Sequence, residues 1–161
     1  MKKKLNLKSS INKFLTKHKS KIIFEPGRSI VGDIGSLISQ VIYIKQNDKK
    51  DFIILDAAMN DLMRPALYGA NHITLPAIKH SRLSKKTYEF VGPICESTDK
   101  FTTLKKFQKL KEKDLVVMCD TGAYGMSLSS NYNLRPKAAE ILIKGTKINV
   151  IKKRQKLDQL I

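Results

Sequence analysis

The sequence has no tryptophan, only two cysteines in 161 residues, and 14 acidic side chains against 31 lysines and arginines. Two thiols, Cys95 and Cys119, are too few for the disulfide framework that holds small secreted domains together. The basic start, Met1 to Lys4, is not followed by an apolar segment of signal-peptide length. The expected compartment is therefore cytoplasmic, with both thiols reduced. No run approaches the roughly 20 apolar residues of a membrane span, so no membrane partner is expected. Zinc-ligand spacing, a Walker loop and a nucleophilic triad are all missing, and His18, His72 and His80 have no company that suggests a metal.

What is abundant is positive charge. A net charge of +17 raises nucleic acid as a partner. The lysines, however, are spread along the whole chain in short clusters, among them Lys49-Lys50, Lys85-Lys86, Lys105-Lys106 and Lys152-Lys153-Arg154. No aromatic-rich strand or recognition-helix pattern accompanies them. A solvated, lysine-rich surface is the expectation, with no nucleic acid bound, and a basic nucleic-acid-binding protein is the lesser alternative.

A hydrophobic content of 42% and a charged content of 28% suit one globular domain. Residues 10 to 20 read as an amphipathic helix, with Ile11, Phe14, Leu15 and His18 on one face and Ser9 or Ser10 as N-cap. A brief strand, Lys21 to Phe24, follows it. Seven further strands are predicted at Leu37 to Lys45, Phe52 to Asp56, His72 to Leu75, Thr87 to Val91, Leu115 to Asp120, Ala139 to Lys144 and Ile148 to Lys152. Helical inserts are predicted at Asn60 to Leu67 and Lys100 to Leu110, with a C-terminal turn from Gln155 to Ile161. The fold class is mainly β (α+β), as a closed or sandwich-like β domain.

Four stretches carry chemistry. Val91-Gly92-Pro93-Ile94-Cys95-Glu96-Ser97 puts a thiol beside a carboxylate behind a rigid turn. Such a thiol either packs into the core or, tuned by neighbours, exchanges a proton. Glu25-Pro26-Gly27-Arg28 combines a backbone able to approach an anion with a guanidinium suited to phosphate or carboxylate. Arg64 and Tyr68, four apart on a predicted helix, either grip one carboxylate together or stack on each other at the surface. In Asp120-Thr121-Gly122-Ala123-Tyr124-Gly125, two glycines bracket Tyr124 and suggest a tight turn that turns its ring towards a cleft. Cys119, inside the preceding strand, reads as core.

Together these stretches resemble the C-terminal part of the diaminopimelate decarboxylase family of pyridoxal-phosphate enzymes. The carriers are Glu25-Pro26-Gly27-Arg28-Ser29, Met59-Asn60-Asp61, Arg64-Pro65-Ala66-Leu67-Tyr68, Gly92-Pro93-Ile94-Cys95-Glu96-Ser97, Gly122-Ala123-Tyr124-Gly125-Met126-Ser127 and Asn131-Tyr132-Asn133. The resemblance implies a C-terminal β-barrel domain of the alanine racemase and ornithine decarboxylase kind, preceded by the last helix and strand of a (β/α)8 barrel. Residues 1–30 would be the end of that cofactor-binding barrel and residues 31–161 the β domain.

It also implies pyridoxal 5'-phosphate as cofactor and meso-diaminopimelate as substrate, decarboxylated to L-lysine. Glu25 would pair with the pyridine nitrogen, and Gly27 and Arg28 would lie at the cofactor phosphate. Arg28, Arg64, Tyr68 and Glu96 would hold substrate, Cys95 would donate the proton, and Tyr124 would touch both cofactor and substrate. The family is a homodimer whose active site is shared between subunits. Its covalent lysine sits in the N-terminal barrel, and no lysine here has a matching context. The expectation is thus a half-enzyme that needs a separate or missing barrel half and is inactive alone. The alternative is a catalytically inactive remnant or interaction module of the same fold.

Overall fold

The computed structural model describes residues 6–160, so the basic start, Met1 to Lys4, and the end of the C-terminal turn at Ile161 lie outside the described residues. The first helix, α1 (Leu7–Lys17), begins earlier than expected. Its cap is Asn6, whose side chain accepts from the Ser9 N–H at 3.2 Å, rather than Ser9 or Ser10. Its apolar face is uncovered: Phe14 and Leu15 are exposed, and the His18 ring lies against Phe14 with centroids 4.7 Å apart. The strand expected at Lys21 to Phe24 does not form. Among the described residues no strand pairs with this segment, and an apolar run without a hydrogen-bonded neighbour has no ladder to join.

A six-stranded sheet follows, built from β1 (Leu37–Lys45), β2 (Lys50–Leu55), β3 (Thr74–Pro76), β4 (Thr87–Val91), β5 (Lys100–Leu104) and β6 (Leu115–Met118) in the order β3-β6-β1-β2-β4-β5. All pairs are antiparallel except β2 with β4. Alternation sets the faces, since Ser39 and Val41 of β1 are buried while Ile38, Gln40 and Ile42 look outward. A bulge between Val41 and Tyr43 shifts the register and turns Ile44 towards the core.

The edges of this sheet nearly meet. Residues beyond β3 pair with residues beyond β5 through a bridge between Leu83 and Gln108, flanked by Ser84 N–H to Phe107 O (2.8 Å) and Lys109 N–H to Arg82 O (2.7 Å). A barrel-like closure results, which decides between the two expected β architectures. Phe90, Ile53, Leu55, Val41, Val116 and Met118 fill it.

Two expected helices are corrected. Lys100 to Leu110 is not helical: it forms β5 and an irregular return. Phe101, Phe107 and Leu110 are buried, as a helical stripe would also bury them, but pairing with β4 overrides the local periodicity. The helix expected from Asn60 is only α3 (Arg64–Tyr68), the next after the one-turn α2 (Arg28–Val31), with Pro65 in its first turn and Gly69 at φ 61° ending it. Asn60 is fully buried and caps nothing; its amide bonds Ser130 O and Arg135.

The last two strands, β7 (Glu140–Lys144) and β8 (Lys147–Lys152), form a separate hairpin around Gly145-Thr146. The chain ends in one short turn at Leu157–Gln159. Among the described residues no helix is long and apolar enough to cross a membrane.

Candidate active site

One carboxylate organises the Gly92–Ser97 turn. Asp99, 3% exposed, accepts from the Ile94 N–H at 2.8 Å and the Met59 N–H at 2.7 Å. Its own carbonyl accepts from the Gly92 N–H at 3.0 Å. A Cβ on Gly92 would stand 2.2 Å from the Asp99 carboxylate, so residue 92 has room only for hydrogen. Burial pushes the Asp99 carboxyl above the usual aspartate range, against the lowering effect of the Ile94 and Met59 N–H bonds. The two turns are thereby fastened to each other. Ile94 is buried as the anchor, and Cys95 and Glu96 stand exposed beyond it. Cys95 is therefore not the packed thiol that its residue type alone allows. Glu96 accepts a hydrogen bond from the Tyr132 hydroxyl at 2.7 Å, which raises the Tyr132 phenol above its ordinary range.

A second fastening joins the end of α2 and the residues after it to the loop after β6. Helix α2 (Arg28–Val31) starts directly after Gly27. The Thr121 N–H donates to Gly35 O (2.9 Å) and the Gly122 N–H to Gly32 O (3.0 Å). A Cβ on Gly122 would lie 1.8 Å from Val31 O, so this approach requires glycine. Tyr124 sits in this loop at φ 59°, a left-handed conformation rare for an aromatic residue, with its ring half exposed. That the loop is fixed from the Arg28 side explains why the conformation persists.

Arg28 and Arg64 line one open depression of about 490 Å³, with Asp33, Asn71 and Asp120. Both signs of charge face it. On its other side α3 borders a groove shared with Ser97 and Thr98, next to the Cys95-Glu96 turn. Behind α3, Arg135 gathers the Met59-Asn60-Asp61 turn: it donates to Asn60 Oδ1 (3.0 Å) and to Asp56 O, and lies 3.9 Å from Asp61. Burial raises the Asp61 carboxyl above its usual range; the Ala58 N–H and the Arg135 charge oppose that rise.

Of the expected site residues, Arg28 and Arg64 are thus brought to one depression, Tyr124 is tied to the α2 end, and Cys95 and Glu96 are tied to the turn before α3. Glu25 and Gly27 are exposed ahead of α2, and Tyr68 is exposed at the end of α3. Among the described residues no hydrogen bond or salt bridge joins any two of Glu25, Arg28, Arg64, Tyr68, Cys95 and Tyr124. The sequence assigns no role to Asp99, Arg135 or Tyr132, which hold the turns that carry these side chains or bond to one of them. Only Tyr132 carried a signal, as part of Asn131-Tyr132-Asn133. A cavity of about 800 Å³ between Ile78, Arg82 and Leu115 contains none of the motif residues.

Comparison with known proteins bears on the family and the fold. The family described as "Pyridoxal-dependent decarboxylase, C-terminal sheet domain" matches residues 9–122. A diaminopimelate decarboxylase of Neisseria meningitidis serogroup B is 43% identical over 150 residues, covering 93% of this chain and 36% of that protein. The crystal structure of diaminopimelate decarboxylase from Helicobacter pylori complexed with L-lysine superimposes with a TM-score of 0.79 at 44% identity, covering 94% of this chain and 37% of that one. The M. jannaschii enzyme superimposes with a TM-score of 0.83 at 31% identity, covering 94% and 36%. The chain spans about a third of the length of the curated relatives it matches. On its sequence and its nearly closed sheet, the chain belongs to the family of pyridoxal-dependent decarboxylase C-terminal sheet domains.

Proposed function

We propose that this chain is the C-terminal sheet domain of a diaminopimelate decarboxylase, residues 31–161 forming the β domain and residues 1–30 the end of a (β/α)8 barrel. It would work with an N-terminal barrel half in a homodimer, releasing carbon dioxide from meso-2,6-diaminopimelate to leave L-lysine. The observation that carries this reading is the Asp99 fastening, which holds the exposed Cys95-Glu96 pair beside the turn leading into Arg64.

The residues fit pyridoxal 5'-phosphate. Among the described residues nothing lies within 4 Å of where a Gly27 side chain would be, so the backbone there is open to a phosphate, with the Arg28 cation next in sequence. Gly27, Arg28 and Tyr124 would hold the group, and Glu25 would pair with its pyridine nitrogen. When bound, the cofactor supplies an electron sink for the bond that releases carbon dioxide. Cys95 would deliver a proton from Sγ to the carbon that has lost its carboxylate. Arg28, Arg64, Tyr68 and Glu96 would grip the far end of the substrate, which is itself an amino acid and carries both signs of charge.

The test is a chimera in which this chain replaces the matching third of the Helicobacter pylori enzyme. It should form lysine from meso-diaminopimelate, and Cys95→Ala should lower kcat more than KM. A folded, cofactor-loaded chimera that forms no lysine rejects the proposal.

A further inference from the structure

We propose that His72 is a positioning residue that holds the Arg64 guanidinium over the depression shared with Arg28. This rests on the reading above for what Arg64 binds, a substrate carboxylate, but the contact itself stands on geometry. His72 is 6% exposed in the segment between α3 and β3. Its Nδ1 lies 2.9 Å from the Cys119 carbonyl oxygen, and its Nε2 lies 3.5 Å from Arg64 Nη1.

A carbonyl only accepts, so Nδ1 carries the proton and donates to Cys119. In the neutral ring Nε2 is then an acceptor, and a guanidinium only donates. The imidazole thus relays a fixed point of the sheet to a cation on a five-residue helix. That fixed point is firm: the Cys119 N–H donates to Ile73 O at 2.8 Å, so Cys119 and the His72 segment are bonded in both directions. Helix α3 has no side-chain cap of its own. Without the relay, Arg64 would keep its charge but lose one of the groups that aim it. The 3.5 Å spacing is at the long end for a hydrogen bond.

Two near-isosteric variants separate the two ends of the ring. His72→Asn keeps an amide N–H where Nδ1 donates to Cys119 and removes the acceptor facing Arg64. His72→Gln keeps an amide oxygen within reach of Arg64 and loses the Nδ1 donor. Modification of the full chain by phenylglyoxal, mapped by mass spectrometry with Arg28 as internal reference, reads Arg64 without any need for turnover. Loss of one net hydrogen bond predicts that Arg64 reacts about fivefold faster in His72→Asn and nearly as in the parent in His72→Gln. In the chimera, His72→Asn should raise KM for meso-diaminopimelate by a similar factor with kcat little changed, and His72→Gln should restore it.

Equal Arg64 reactivity in parent and His72→Asn overturns the proposal in favour of a purely structural bond to Cys119, and a His72→Gln variant as damaged as His72→Asn overturns it in favour of simple ring packing. Changed Arg64 reactivity in a chimera that forms no lysine supports the His72–Arg64 contact and rejects only the substrate. Should His72→Asn fail to fold, Arg64→Met reads the same contact from the other side. Carbethoxylation of His72 by diethyl pyrocarbonate, relative to His80, should then accelerate, and an unchanged rate overturns the proposal.

Discussion

The Asp99 carboxylate occupies the space into which a Gly92 side chain would point, 2.2 Å from where its Cβ would be. Both residues thus serve one device, the fastening of the Cys95-Glu96 turn to the Met59 turn. Asp99→Ala would leave the Ile94 and Met59 N–H groups without their acceptor, at a cost of about 3 kcal/mol for two bonds to a charged group. Gly92→Ala would force the carboxylate aside and should also lower stability, by about 1–3 kcal/mol as an overpacked site. Thermal unfolding of the two variants checks both, and a Gly92→Ala melting curve equal to that of the parent would remove the steric argument.

Acid stability separates two kinds of carboxylate here. Burial tends to raise the Glu89 carboxyl, but bonds from Lys50 and from Lys100, at 3.4 Å, outweigh it and hold it below the usual glutamate range. Its folded-state value is depressed, so its contribution is present above the unfolded value and lost as pH falls through the folded one. Asp99 and Asp61 are raised, so the folded state binds their protons first and each favours folding more as pH falls through its window. Denaturant titrations from about pH 6 downward should therefore show Glu89→Gln flattening the acid loss of stability. Asp61→Asn should steepen it. The reverse order would mean that the Lys50 and Lys100 contacts do not form in solution.

How legible this was depends on where each signal lies. The strands β1, β2, β4 and β6 could be read because alternation and β-branched residues are local properties. Strand β5 could not: Phe101, Leu104 and Phe107 fit a helical spacing, and only the partner β4 makes them extended. Lys21 to Phe24 has strand composition but, among the described residues, no neighbour to pair with. The motif residues were visible as residue types beside turns. Their supports were not, because Asp99 reaches Met59 across 40 positions and Arg135 reaches Asn60 across 75. No window on the sequence links such pairs, although a glycine where only hydrogen fits, as at 92 and 122, marks where an unseen partner comes close.

The Tyr132–Glu96 bond predicts a titration. Ionising the phenol breaks its hydrogen bond to the carboxylate and sets two negative charges side by side, which is why it is raised. In alkaline ultraviolet titration Glu96→Gln should ionise Tyr132 at lower pH than the parent, identified by its absence from a Tyr132→Phe control. No difference between parent and Glu96→Gln would mean that Glu96 is free to turn elsewhere.

The hairpin of β7 and β8 bears on how the isolated chain behaves. Ile141, Leu142, Ile143, Ile148, Val150 and Ile151 are each more than half exposed, and Ile34 and Ile38 are exposed too. A two-stranded hairpin is marginal in water unless a face is covered, and so many aliphatic side chains on one element exceed what scattered surface residues explain. Repulsion from a net charge of +17 opposes association, but salt screens it within about 8 Å at physiological ionic strength. Sedimentation of the chain should thus show concentration-dependent self-association that strengthens with added salt. Replacing Ile143 and Val150 by lysine adds charge to opposed strands and should shift the chain towards monomer without lowering the melting temperature of the six-stranded sheet. A parent chain that stays monomeric at high salt would mean that the hairpin covers its own apolar side chains, by folding back against the sheet from its exposed position.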